Sequence, residues 1–138
     1  MLQIRPQTVD IDIKLDPEPK GVFEALAELK ETFDVNVELA APDQFLPALP
    51  GWRHRSVFLG RYGLVEFFNY DFEGQVLAKI LRGFERDLRD AESFVSLGIV
   101  LPERLLEYFD QIRVELMRFP ALDAAEFERR VQDFVTRL

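Results

Sequence analysis

Apolar and polar residues alternate from Thr8 to Lys14, T-V-D-I-D-I-K, so Val9, Ile11 and Ile13 fall on one side of an extended chain and Asp10 and Asp12 on the other. This predicts a half-buried strand with two carboxylates on its polar face. Asp16-Pro17-Glu18-Pro19 cannot continue a ladder, and its acidic residues suit the positive end of a helix. Val22, Leu26, Leu29 and Phe33 then recur at spacings of four, three and four, which marks one apolar helical face, with Glu24, Glu28, Lys30 and Glu31 on the wet side. In D-V-N-V-E-L the alternation returns, with Val35, Val37 and Leu39 inward and Asn36 and Glu38 outward. Strand, helix and strand in this order predict parallel neighbours, which sets Glu38 on a strand beside Asp10 and Asp12.

Residues 41–50 are rich in proline and read as a loop. Two runs, S-V-F-L-G and L-V-E-F-F-N-Y, flank Arg61-Tyr62-Gly63 and read as a hairpin whose strands join the same sheet. From Phe72 the period becomes helical. Val76, Leu77, Ile80, Leu81 and Phe84 lead into Leu88, Ala91, Phe94 and Val95, with Gly83 as a cap and break and Gly98 as the end. Pro102 opens a helix with Leu105, Leu106, Phe109, Ile112 and Leu116 inward. Asp123 to Glu126 resembles a capping box, followed by Phe127, Val131, Phe134 and Val135 on the inner face of the last helix. The expected architecture is α+β and one domain over residues 1–138. A small mixed sheet occupies about residues 1–71 and a helical portion about residues 72–138.

Composition narrows the function classes. At 138 residues the chain can bury roughly 70% of its unfolded surface, and its 48% hydrophobic content, with 13 Phe, excludes a disordered segment. A formal net charge of -8 repels nucleic acid and anionic lipid, except where a local basic patch intervenes. Arg53, His54, Arg55 and Arg61 form the one notable basic cluster, a candidate contact for phosphate or an RNA end and equally an ordinary charged loop. No cysteine is present, so thiolate chemistry is excluded, and a single histidine leaves no zinc site of the usual kind. The sequence shows no apolar run of about 18 residues and no cleavable signal, which predicts a cytoplasmic protein without a membrane partner.

The candidate chemistry sits on the acidic strand. Two carboxylates on one strand face can share a hard divalent cation, because magnesium is commonly held by one or two carboxylates together with substrate phosphates. A solvated strand edge carries the same pattern. Lys79 and Arg82, three apart on a helix, suit a solvated face paired with Glu73 or Glu85. Asp87 and Asp90 suit the start of the next helix.

Taken together, R-x-x-T-x-D-I-D on a strand, a second strand with a third acidic residue, V-E-L-A-A-P-D-Q-F-L-P-A-L-P-G-W-R-H-R-S, and L-A-K-I-x-R-G-x-x-R-D-x-x-D on later helices resemble the nucleotidyltransferase superfamily. The similarity is to the bacterial minimal nucleotidyltransferase-like proteins, relatives of the antitoxin-type members of toxin-antitoxin pairs. The resemblance implies that Asp10 and Asp12 hold magnesium ions bridging a nucleoside triphosphate. It implies that Glu38 orients or deprotonates the attacking hydroxyl, and that Lys79 and Arg82 approach the triphosphate. The implied reaction transfers a nucleoside monophosphate to a hydroxyl acceptor; the alternative is a non-catalytic, antitoxin-like module that binds a partner protein.

Family members also place a Gly-Ser turn about one strand's length before the acidic pair. This sequence begins after that point, which implies an enzyme impaired or inactive as this polypeptide, and a homo-oligomer formed through an open sheet edge. An upstream start, a shortened non-catalytic relative, and a dimer whose partner covers the gap all remain open.

Overall fold

The computed structural model describes residues 10–138 and is of mixed α+β architecture. Thr8 and Val9, the start of the expected first strand, lie outside the described residues. The strand itself is β1, Asp10–Asp12, and it pairs in parallel with β2, Asn36–Glu38, across the helix α1, Val22–Phe33. The ladder is extended by Ile13, whose N–H donates to the Glu38 carbonyl at 2.8 Å. Both ends of α1 use the left-handed region. Gly21 enters at φ 78°, where a residue without Cβ is at ease, and Asp34 leaves at φ 51°.

A short helix α2, Trp52–Arg55, precedes the hairpin of β3, Val57–Tyr62, and β4, Val65–Asn69. The hairpin does not join the first sheet as the alternation predicts. It forms a separate antiparallel pair, with an irregularity at Leu59 that puts Phe58 opposite Phe68 but Gly60 opposite Phe67. One added residue bends and twists the ribbon locally, and the two-stranded sheets stay apart.

Four helices follow: α3, Phe72–Arg82; α4, Glu85–Ser96; α5, Pro102–Ile112; and α6, Ala124–Arg137. Gly83 closes α3 in the left-handed region, its N–H donating to the Lys79 carbonyl. Asp123 caps α6, its Oδ1 accepting from the Ala125 and Glu126 amides at 3.0 Å. Glu126 does not complete a capping box. Its carboxylate binds Arg129 and Arg130 instead, and these hold its pKa down at about 2.

The buried core lies almost wholly among these helices. Val76, Ile80, Leu105, Ile112, Phe127 and Val131 are fully enclosed, and the Phe109 and Phe127 rings meet edge to face at 5.2 Å. Each such side chain contributes about 1.5 to 3 kcal/mol through burial. The expected inner positions hold with two exceptions. Phe84 is 67% exposed at the mouth of α4, and Leu116 is buried from a 3-10 turn after α5 has ended. The proline-rich loop adds Leu46 and Leu49, each only 1% exposed.

The first half is different. The apolar stripe of α1 exists, yet no residue of that helix is buried, and Phe33 is 65% exposed. Every residue of β1 is likewise exposed. The periodicity that forms these elements is present, but little packs over them.

Candidate functional site

Parallel pairing fixes what one strand alone leaves open. Asp10 is the register partner of Asn36, and Asp12 that of Glu38, so all four side chains share one face of the β1–β2 pair. The Asn36 amide sits between two carboxylates, donating to Asp10 Oδ1 at 2.8 Å and to Glu38 Oε1 at 2.7 Å. It was not singled out from the sequence. Its signal was the period of two that makes Asn36 and Glu38 neighbours on the same face.

Asp12 carries the electrostatic strain of the group. Partial burial pushes its pKa up; Arg82 pulls it back down, Glu38 and Asp10 push it up again, and Lys79 pulls it down more weakly. Five of the expected site residues thus act on one another around Asp12. Asp12, Lys79 and Arg82 line one cleft, of about 1260 Å³, between the end of β1, the hairpin and α3; Asp10 and Glu38 do not line it.

Lys79 and Arg82 are not paired with Glu73 or Glu85, as local helix spacing suggests. They reach across the Gly83 turn to α4. Lys79 Nζ donates to Asp90 at 2.9 Å and lies 3.5 Å from Asp87, while Arg82 forks onto both oxygens of Asp87 at 2.9 and 2.6 Å. Asp87 stands in the first turn of α4, as expected, and it and Asp90, each 5% exposed, also form a buried ionic lock between α3 and α4. Glu85 pairs with Arg89.

The basic cluster of α2 divides. Arg55 turns inward and forks onto Asp71, which is 0% exposed, at 2.8 and 2.7 Å, and its guanidinium stacks 4.3 Å from the Tyr108 ring centre. Glu73 and Arg104 extend this network. Burial, and then a hydrogen bond with Asp71, raise the Glu73 pKa. Arg53 binds Asp16 at 2.6 Å over the Trp52 ring, and Arg61 binds Glu66 across the hairpin. Arg53 and Arg61 line the cleft; Arg55 does not, and His54 is exposed. Trp52 and Tyr70 stack at 4.9 Å on the cleft wall.

Among the described residues no three acidic or histidine side chains converge as a cation-holding group. The donor chemistry nevertheless fits a magnesium ion held in part by substrate. Asp10 and Asp12 present hard oxygen donors on one strand face, and the cleft that Asp12 lines leaves room for phosphate oxygens. No family model, curated protein or solved structure matches this chain.

Proposed function

We propose that this chain is a nucleotidyltransferase-like domain that binds a magnesium-nucleoside triphosphate in the cleft that Asp12 lines at the end of β1. The observation that carries this reading is the alignment of Asp10, Asp12 and Glu38 on one strand face, with Lys79 and Arg82 acting on Asp12 across the same cleft. Asp10 and Asp12 would hold the cation, which when bound neutralises phosphate charge. Lys79 and Arg82 orient the triphosphate, whose phosphates compete for them with the Asp90 and Asp87 carboxylates. Glu38 accepts the proton of an acceptor hydroxyl as its oxygen bonds to the α-phosphorus and pyrophosphate leaves. A second reading, a non-catalytic module that binds a partner protein, is favoured by the uncovered apolar hairpin.

Calorimetric titration of the full chain with each nucleoside triphosphate, with and without magnesium, tests the first reading. Magnesium-dependent binding to at least one of them is expected. Absence of binding to all four in both conditions would leave the second reading in its place.

A further inference from the structure

The β3–β4 hairpin is an uncovered apolar element among the described residues. Phe58, Phe67, Phe68 and Tyr62 are 55, 48, 49 and 76% exposed, and Leu64 at the turn is fully open. Aromatic pairs form on both faces, Phe58 with Phe68 at 5.4 Å and Tyr62 with Phe67 at 5.5 Å. No other strand among the described residues pairs with either edge. A lone two-stranded hairpin is marginal in water and needs a third layer or a helix against it. Monomeric proteins seldom expose an apolar patch beyond about 600 Å².

Charge and size together select the occupant. Residues 56–70 carry one arginine and one glutamate, so the hairpin is a neutral stretch on a chain of net charge -8, where two copies meet without net charge repulsion at the contact. Arg61 and Glu66 are cross-strand partners, and Glu66 lies two residues from Phe68 on β4, so the ion pair and the Phe58/Phe68 pair share a face. An isologous contact requires a surface complementary to itself. An adjacent positive and negative group flanked by two rings is such a surface. The stems of Arg61 and Glu66 and the Leu64 tip extend this face beyond its two rings, as an isologous interface of standard size, about 1,200 Å² or more in total, requires.

We propose that the hairpin is a homodimer interface, in which the Phe58/Phe68 face of one copy packs on that of a second about a two-fold axis that sets Arg61 opposite Glu66 of the partner subunit. The interface is drawn without the nucleotide reading, but Arg61, Leu64, Glu66 and Phe68 also line the cleft, so the test is made without nucleotide.

Sedimentation equilibrium of the full chain from micromolar to millimolar concentration tests it. The wild type is expected to dimerise, and Arg61→Glu and Glu66→Arg to weaken the dimer about tenfold or more, because each doubles one sign of charge at the contact. An equimolar mixture of the two variants is expected to recover dimer. That recovery cannot arise within a chain, since each variant still carries like charges on its own hairpin, and it requires both variants to be folded. A wild type that stays monomeric at millimolar concentration, leaving the hairpin to a different protein, would overturn the proposal. So would single variants that dimerise as well as the wild type, or a mixture no tighter than either alone.

Discussion

Asp12 and Glu38 are register partners on adjacent parallel strands, and Glu38 is one of the groups that raise the Asp12 pKa, after burial and against the pull of Arg82. A carboxyl whose pKa is higher folded than unfolded contributes stability that is present below the unfolded pKa and lost as the pH rises through the folded value. Ionising Asp12 therefore costs the fold some stability as the pH rises through the folded pKa.

The sign of the Arg82 effect gives a direct expectation. Arg82→Gln removes the largest influence that favours the Asp12 carboxylate, so Asp12 should titrate at higher pH than in the wild type. Glu38→Gln should move it the other way. Carbon-13 NMR titration of the Asp12 carboxyl reads both, and an Arg82→Gln protein with a lower Asp12 pKa would show that the two groups are not coupled as described.

The bond between Lys79 and Asp90 sets stability against ligand binding. In Asp90→Asn the side-chain volume stays, but Lys79 loses its charged partner at 2.9 Å. Unfolding free energy should fall by roughly 2 kcal/mol. With a competing carboxylate gone, affinity for a nucleoside triphosphate should rise about fivefold, the equivalent of about 1 kcal/mol. Thermal melting and calorimetry together check this pair of opposite changes.

Asp71 is the anchor of Arg55. Replacing it by alanine leaves a guanidinium, only 20% exposed, facing a vacated buried site. The expected loss is about 3 kcal/mol, measurable as a lower urea midpoint. A loss below about 0.5 kcal/mol, the scale of an ordinary surface change, would contradict the buried network.

The uneven burial also has a mutational signature. Phe127→Ala should cost about 3 to 5 kcal/mol, since Phe127 is fully enclosed and packed edge to face on Phe109. Phe33→Ala on α1 should stay within about 0.5 kcal/mol in the isolated chain. Equal losses would mean that α1 is covered.

The four long C-terminal helices were legible because they bury one stripe each, and residues such as Val76, Ile80, Phe127 and Val131 recur at the helical period that burial imposes. The acidic strand pair was legible from its period of two, although β1 buries none of its residues. What the pattern cannot carry is register and coverage. That Glu38 stands beside Asp12 follows from a hydrogen-bond ladder between segments 26 residues apart. The partners of Lys79 lie beyond a turn, outside the local three-and-four spacing that pointed to Glu73. Leu46 and Leu49 fill the core from a loop with no period at all. The stripe on α1 is a true helical stripe, but whether anything packs on it is decided by other parts of the fold.

The most direct measurement of the proposed site is paramagnetic broadening by manganese, which takes the oxygen ligands of magnesium, in the amide NMR spectrum of the 16.1 kDa chain with a non-hydrolysable nucleoside triphosphate analogue present. Broadening centred on residues 10–12 and 36–38, spreading to Lys79 and Arg82 and weaker without the nucleotide, is the expected result. Broadening centred elsewhere, or none at all, would contradict a cation and nucleotide site on the Asp10, Asp12 and Glu38 face.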